Sequence, residues 1–377
     1  MSVDGEIVSE GHAAVVRPAA LFLADGARFD GAGIGPDGIA RGEAVFYTGL
    51  TGYEEALTDP SYAGQIIVFC YPLIGNYGVD PAVRQHPTIC CAGAVFKRVA
   101  KHPSHYRNRG RLDEWMEHSA VRGIEGVDTR TLVIRLRETG TMRSVLAVGE
   151  AAIAAAPAEL AAYIKAPLST PDLVRAVEGG RGLDRAGGRV RVALLDCGAK
   201  ENIADCLAAA GAEVVEAPFD ASFEDLMKLK PDGLVVSNGP GDPAELTGVV
   251  QTLRRVVEYG RLPTFGICLG HQVLALALGA KTFKLKYGHR GGNQPVAHVD
   301  TGEVIITAQN HGYAVDPASL PSDVEPTLIN LNDGTNEGLR HRRLPIHSVQ
   351  FHPEASPGPT DARHLFVDFV RTLERDR

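Results

Sequence analysis

In its C-terminal half, the chain alternates short, almost continuously apolar segments with segments of helical periodicity, and this alternation constrains the fold more than any other feature. The apolar segments include residues 190–197, residues 233–238 and the run LPTFGI. Uninterrupted apolar strands separated by helices are typical of a parallel sheet whose two faces are both covered by helices. We therefore predict a doubly wound α/β domain over residues 189–377, strand-rich after Lys281, with a last amphipathic helix near residues 361–375.

The first 166 residues have a different pattern, in which short β-rich segments such as AALFLAD, GEAVFYTG and GQIIVFCYP are separated by frequent turns. One clear helix, DTRTLVIRLRETG, is expected between an N-cap at Asp128 and a stop at Gly140. These features predict a smaller α+β domain over residues 1–166 rather than a second doubly wound domain. Residues 167–188 are punctuated by glycine and proline and are expected to form a linker between the two domains.

Composition and charge exclude several classes of protein. The chain of 377 residues is long enough for two domains, and its net charge of −8, with neither half basic, argues against nucleic acid as the main ligand. Its apolar runs are too short to cross a membrane, and the acidic N-terminus lacks the features of a signal peptide. Six cysteines without metal-binding spacing suit a reducing compartment. We expect a cytoplasmic protein that binds neither a membrane nor nucleic acid, and we expect no metal site.

The segment FGICLGHQ places Cys268 in a turn between a predicted strand and a predicted helix. This is the cysteine form of the nucleophile elbow, in which small residues two positions before and after the nucleophile make room for a strained turn. The helix N-terminus favours a thiolate, and the backbone N–H of Leu269 is free to face a developing oxyanion. The alternative is a buried structural cysteine at an ordinary strand–helix turn, and this motif alone favours neither interpretation.

A thiolate nucleophile needs a base, and the segment HSVQFHPEA supplies His352 and Glu354. At the end of a strand, side chains at i and i+2 project to the same face, so the carboxylate can orient the imidazole. A salt-bridged surface pair is the alternative. However, open α/β sheets carry their ligand sites at the carboxyl ends of the strands, and this position favours a catalytic pair. Cysteine, histidine and glutamate would then form a triad.

Two further segments are weaker signals. SNGPGDP follows another predicted strand, and its backbone can approach a substrate closely, with Gly239 as a second oxyanion donor. NHGYAVD, residues 310–316, is expected to be a polar loop. Taken alone, the first segment is no more than a tight turn and the second no more than a surface loop.

Together, these four segments resemble the class I (triad) glutamine amidotransferases. The segments VFYTGLTGYEEALTDPSYAGQ, YPLIGNYGV and GVDTRTL extend the resemblance to the small, glutamine-hydrolysing subunits of carbamoyl phosphate synthetases, over nearly the whole chain from about Ala19. The resemblance implies Cys268 as the nucleophile, His352 as general base and then acid, and Glu354 as its orienting partner.

The same resemblance implies an oxyanion hole and a pocket for L-glutamine. The oxyanion hole would consist of Gly239 and Leu269, and the pocket would be lined by Gly241, Gln272, Asn310, Gly312 and Tyr313. Two positions depart from the family pattern. Gly49 stands where family members often have a serine that would contact glutamine, so we expect no such contact here. Tyr313 replaces a more common phenylalanine, and its ring preserves the packing.

The resemblance also implies a partner. The chain has no GxxxxGK[ST] P-loop, so we expect no cofactor in it. ATP and Mg²⁺ would belong to a large subunit, which receives ammonia through a tunnel and makes carbamoyl phosphate from bicarbonate for arginine and pyrimidine biosynthesis. The two chains would form a heterodimer or a higher oligomer. The Tyr-, Gly- and Pro-rich N-terminal domain is expected to bind that subunit and not the glutamine.

Two other functions are considered. A free-standing glutaminase or peptidase would not need the N-terminal domain. A non-catalytic regulatory or scaffold subunit would not need the intact Cys268, His352 and Glu354.

Overall fold

The computed structural model describes residues 17–179 and 182–375. The N-terminal domain contains seven strands: β1 (Pro18–Leu23), β2 (Arg28–Ile34), β3 (Gly38–Tyr47), β4 (Gln65–Phe69), β5 (Gly93–Val95), β6 (Arg122–Glu125) and β7 (Met142–Val148). They form a closed barrel in the order β1-β2-β6-β5-β4-β3-β7. The helices of this domain are α1 (Tyr53–Thr58), α2 (Leu112–His118), α3 (Thr129–Thr139) and α4 (Glu150–Lys165). The predicted α+β character is confirmed, and the Asp128 side chain caps α3 as expected.

Residues 167–188, expected to be a linker, contain helix α5 (Thr170–Arg175). The Ser169 side chain begins this helix by accepting a hydrogen bond from the backbone N–H of Asp172. Thr170 and Val174 are buried, and Val174 packs into an apolar cluster of the C-terminal domain. The segment is therefore part of the packed structure, and it brings Thr170 to the edge of the site described below.

The C-terminal domain is built around one mixed sheet of nine strands. Its strands are β8 (Val190–Asp196), β9 (Ala212–Pro218), β10 (Gly233–Val236), β11 (Thr264–Ile267), β12 (Thr282–His298), β13 (Val304–Val315), β14 (Val324–Asn330), β15 (Asn336–His341) and β16 (Ile346–Val349). Its helices are α6 (Glu201–Ala209), α7 (Phe223–Lys228), α8 (Thr247–Tyr259), α9 (Leu269–Leu278) and α10 (His364–Arg375). The predicted doubly wound α/β class is confirmed.

The sheet has a parallel part and an antiparallel part. Its order is β13-β12-β14-β15-β16-β11-β10-β8-β9, and the pairs from β16 to β9 are parallel while those from β13 to β16 are antiparallel. The carboxyl ends of the parallel strands meet at one edge, which is where open α/β sheets bind ligands. The loops after β8, β10, β11 and β16 therefore converge on one place.

The expectation of a loop at residues 310–316 is wrong for most of the segment. Asn310 to Val315 lie in β13, where Asn310 pairs with Arg290 and His311 pairs with His289 of β12. Polar side chains predict a loop only when they face water, but here they face the interior next to the carboxyl edge of the sheet. The polar residues of this segment therefore line a cavity inside the protein and do not form a surface loop.

Two apolar layers hold helices against the two faces of the sheet. On one face, Phe369 of α10 is almost fully buried, and its ring centroid lies 5.8 Å from those of Phe265 and His347. On the other face, Leu253 of α8 and Val273 of α9 are buried in a second cluster. In residues 17–179 and 182–375, no helix combines the length and the apolar character needed to cross a bilayer.

Replacing Phe369 with alanine tests the first layer. Phe369→Ala should lower the free energy of unfolding by about 3–5 kcal/mol, because it leaves a cavity among packed aromatic rings. Val367→Ala on the same helix is the matched control, since Val367 is 36% exposed, and it should change stability by less than about 0.5 kcal/mol. Urea unfolding measures both. Equal losses for the two variants would contradict this packing.

Candidate active site

Cys268 stands at the turn between β11 and α9 with φ 55° and ψ −104°, a backbone conformation that is strained for a residue with a side chain. The turn also requires two glycines. A Cβ on Gly270 would lie 2.1 Å from the backbone oxygen of Val236, and one on Gly266 would lie 2.7 Å from the backbone oxygen of Gly270. The segment therefore has the geometry of a nucleophile elbow, and the N-terminus of α9 begins directly after the thiol.

His352 and Glu354 lie just beyond the carboxyl end of β16. The Nδ1 atom of His352 is 2.6 Å from Oε1 of Glu354, and both side chains are buried. Nδ1 is occupied by Glu354, so the interaction of His352 with the Cys268 thiol involves Nε2, which has no other partner among the described residues. Burial would lower the pKa of His352, but the Glu354 carboxylate and Cys268 outweigh it and raise the pKa above its usual value. Nε2 is thus the end of the imidazole that faces the thiol.

Lys200 is a residue of the site that the sequence analysis missed. Its Nζ atom lies 3.1 Å from Oε1 of Glu354 and also donates a hydrogen bond to the backbone oxygen of Ala355, and only 2% of its side chain is exposed. Burial raises the pKa of Glu354, whereas Lys200 and His352 lower it by more, so the carboxylate stays ionised. The available signal was a lysine in the short loop between the apolar strand β8 and helix α6.

The two expected oxyanion donors lie on neighbouring loops. Gly239 follows β10, and a Cβ there would lie 1.9 Å from the backbone oxygen of Cys197, so only glycine fits. Leu269 is the first residue of α9, and its backbone N–H therefore has no acceptor within the helix. Gly270 N–H donates to the Ser237 oxygen over 3.0 Å and joins the two loops.

A cavity of about 260 Å³ lies in front of Cys268, and both domains line it. The lining residues from the C-terminal domain include most of those expected to hold glutamine: Gly239, Gly241, Gln272, Asn310, Gly312 and Tyr313. The N-terminal domain contributes Glu43, Ser61, Ala63, Gly64, Gln65 and Arg143. This shared wall contradicts the expectation that the N-terminal domain takes no part in the pocket.

Hydrogen bonds orient the polar side chains of this cavity. Nε2 of Gln272 donates to the backbone oxygen of Tyr313 over 2.8 Å and to Oε1 of Gln350 over 3.1 Å. Both hydrogens of this amide are thereby used, so its oxygen is left as an acceptor. Nδ2 of Asn310 donates to Oδ2 of Asp59 over 3.0 Å, which ties β13 to the N-terminal domain.

Ser61 is a second residue that the sequence analysis missed, and it changes the interpretation of Gly49. Its hydroxyl oxygen accepts a hydrogen bond of 2.8 Å from Nδ2 of Asn238, at the wall of the cavity. Gly49 is not among the residues that line this cavity, and a Cβ there would lie 2.3 Å from the Tyr47 hydroxyl oxygen. The expectation that position 49 makes no glutamine contact stays a prediction, and Ser61 is the serine that this chain places at the cavity wall. The signal for Ser61 was the segment TDPSYAG.

One group of side chains in the described part of the chain has metal-ligand chemistry. The ligand atoms of His289, His311 and Glu337 lie within 4.8 Å of one another, and all three residues are buried. Asn330 donates to Oε1 of Glu337 over 3.2 Å, while Oε2 of Glu337 has no hydrogen-bond partner among the described residues. His289 also contacts Asp333 over 2.9 Å. An amide N–H directed at the shared carboxylate suits a hydrogen-bond network better than a cation.

The fold is that of a class I glutamine amidotransferase, and residues 193–372 match the family described as "Glutamine amidotransferase class-I". Residues 21–146 match the "Carbamoyl-phosphate synthase small chain, CPSase domain". The chain is 46% identical to the carbamoyl phosphate synthase small chain of Symbiobacterium thermophilum over 94% of its own length and 98% of that protein. It is also 46% identical to the carbamoyl phosphate synthase small chain of Akkermansia muciniphila, over 94% of its own length and 97% of that protein. The chain belongs to the carbamoyl phosphate synthase small chain family.

The buried ion pair beside His352 has a testable consequence for stability. Glu354→Gln should lower the free energy of unfolding by about 3–5 kcal/mol, because it leaves the Lys200 ammonium buried without its counter-charge. The double variant Lys200→Met/Glu354→Gln removes both charges and should regain most of that loss. Urea unfolding of the single and double variants checks this. A double variant no more stable than Glu354→Gln would show that the uncompensated Lys200 ammonium is not the cause of the loss.

Proposed function

We propose that this chain hydrolyses the side-chain amide of L-glutamine and delivers the ammonia to a large chain that makes carbamoyl phosphate. The observation that carries this proposal is Cys268 at a strained elbow, facing a polar cavity, with the buried His352–Glu354 pair beside it. A thiolate nucleophile, a proton-carrying imidazole and a polar pocket are the parts that amide hydrolysis requires.

In the first half-reaction, the Cys268 thiolate attacks the amide carbon and forms a carbon–sulfur bond. The negative charge that develops on the amide oxygen would be stabilised by the backbone N–H groups of Gly239 and Leu269. His352, held by Glu354, donates its Nε2 proton to the leaving nitrogen as the carbon–nitrogen bond breaks. The products of this step are ammonia and a glutamyl thioester on Cys268.

In the second half-reaction, water replaces ammonia. The oxygen of the water molecule attacks the thioester carbon, and neutral His352 accepts a proton from that water. The carbon–sulfur bond then breaks, which releases glutamate and restores the thiolate beside the protonated imidazole. Lys200 keeps Glu354 ionised throughout, so the carboxylate can stabilise the imidazolium in both half-reactions.

Two further cavities support a route for ammonia away from the substrate cavity. A small cavity of about 20 Å³ lies beside His352, and Asn310 lines both this cavity and the substrate cavity. Pro357 lines the small cavity and also a larger one of about 410 Å³, whose other lining residues include Gly52, Glu55 and Tyr77. The three cavities thus follow one another along the junction of the two domains.

The family relationship implies a large-chain partner, since the relatives are named small chains. We propose that ATP and Mg²⁺ bind to that partner and that carbamoyl phosphate supplies arginine and pyrimidine biosynthesis. Among the described residues, which include all six cysteines, no disulfide is formed, and this supports a cytoplasmic location. Tyr77, which lines the largest of the three cavities and stacks on the buried ring of Tyr53, is a candidate for the partner contact.

Replacing the nucleophile tests the proposed chemistry. Cys268→Ser should abolish glutamine-dependent synthesis in the assembled enzyme, while free ammonia still supports synthesis, because only the thiolate step is lost. Cys206→Ser is the control, since burial raises the pKa of the Cys206 thiol to about 11 and leaves it unreactive. Steady-state rates with each nitrogen donor measure the effect. Glutamine-dependent activity in Cys268→Ser near that of the unmodified enzyme would refute the proposal.

Filling the small cavity tests the route for ammonia. Ala56 lines it, so Ala56→Leu should lower the carbamoyl phosphate formed per glutamine consumed while glutamine hydrolysis continues. The exposed Ala162 of α4 allows the control Ala162→Leu, which should leave this ratio unchanged. Parallel assays of glutamate and carbamoyl phosphate give the ratio. An unchanged ratio in Ala56→Leu would rule out passage through this cavity.

A further inference from the structure

Arg290 of β12 is a cation in the wall of the substrate cavity that no partner neutralises. Only 3% of the residue is exposed, and it lines the same cavity as Cys268. Its Nη1 atom donates to the backbone oxygen of Tyr287 over 2.5 Å, whereas Nε has no hydrogen-bond partner. Within the described ranges, no hydrogen bond or ion pair joins its guanidinium to a carboxylate, and Glu43 acts on it only by longer-range attraction.

The other cations of this cavity are partnered. Nζ of Lys284 lies 2.5 Å from Oε1 of Glu43, which also accepts a hydrogen bond from Thr141. Arg143 donates to the backbone oxygens of Tyr163 and Ala166, and its guanidinium lies over the Tyr163 ring. Arg290 therefore differs from Lys284 in having no carboxylate partner and from Arg143 in being almost fully buried.

The acidic side chains of the cavity are also occupied. Oε2 of Glu245 accepts a hydrogen bond from the backbone N–H of Thr170 over 2.7 Å. Oδ1 of Asp242 accepts a hydrogen bond from the backbone N–H of Ala244 over 2.9 Å. Neither carboxylate forms an ion pair with Arg290. Because an unpaired charge is costly to bury, a buried guanidinium that faces a cavity is best explained by an anion that arrives with the ligand.

We propose that Arg290 binds the α-carboxylate of the substrate and thereby selects free glutamine over glutamine whose α-carboxyl is part of an amide or peptide bond. This inference rests on the proposed function. A planar guanidinium matches a carboxylate with two parallel hydrogen bonds, which neither a lysine nor an amide can reproduce. Nη2 lies beside Gly312, 3.6 Å from the place that a Cβ would take, so the bound carboxylate would lie against β13.

The experiment compares L-glutamine with L-glutamine α-amide, which has the same side chain but no carboxylate, as substrates of the assembled enzyme. Arg290→Met should raise the KM for L-glutamine about 10- to 100-fold, as expected for losing a hydrogen bond to a charged group. It should leave kcat/KM for the α-amide unchanged, and synthesis from free ammonia should persist. Arg290→Lys keeps the charge without the planar fork and should give an intermediate KM for L-glutamine.

The substrate comparison separates carboxylate binding from a merely structural role. A structural role would reduce kcat/KM for both substrates equally, and that result would overturn the inference. Arg122→Met is the matched control, because Arg122 also donates to a backbone oxygen and has an unpartnered Nε but does not line the cavity. It should leave the KM for L-glutamine unchanged.

Two outcomes distinguish this inference from the proposed function itself. If the unmodified enzyme hydrolyses L-glutamine and Arg290→Met has the same KM, the inference fails and the proposed function stands. If the unmodified enzyme hydrolyses no glutamine, both fail.

If Arg290→Met does not fold, the unmodified enzyme alone tests the inference. Its kcat/KM for L-glutamine should exceed that for the α-amide by about 10-fold or more. Equal kcat/KM values for the two substrates would overturn the inference.

Discussion

The buried contact between Lys200 and Glu354 is the interaction on which the rest of the site depends. It joins the loop after β8 to the loop after β16, two strands that β10 and β11 separate in the sheet. Removing two charges from water costs several kcal/mol per ion. Hydrogen bonds between Glu354 and His352 and from Lys200 to the Ala355 carbonyl help to offset this cost. The ion pair therefore keeps a carboxylate ionised in the interior, and that carboxylate holds the imidazole of His352 in place.

The second constraint is that the cavity lies where two domains meet. The C-terminal domain supplies the thiol and the oxyanion loop, whereas the barrel supplies Ser61 and Glu43, and Asn310 is hydrogen-bonded to Asp59 across the junction. In this arrangement the N-terminal domain is part of the cavity wall.

The two parts of the sheet have different tasks. Its parallel part places the elbow, the oxyanion loop and the His352–Glu354 pair at one edge, and this part was predictable because continuous apolar strands and helix periodicity are local signals. Its antiparallel part brings Arg290 and Asn310 side by side in a long hairpin. That pairing was not predictable, because the polar residues of β13 have the composition of a surface loop although they are buried.

By itself, the sequence determined the fold class, the elbow at Cys268 and the partnership of His352 with Glu354, since each depends on residues close together in the chain. The tertiary structure alone decided that Lys200 completes this pair, that Ser61 rather than position 49 faces the substrate cavity, and that Arg290 is buried without a counter-charge. The physical reason is that burial and charge pairing depend on residues far apart in sequence. A lysine, a serine and an arginine look the same in the sequence whether water or a cavity surrounds them.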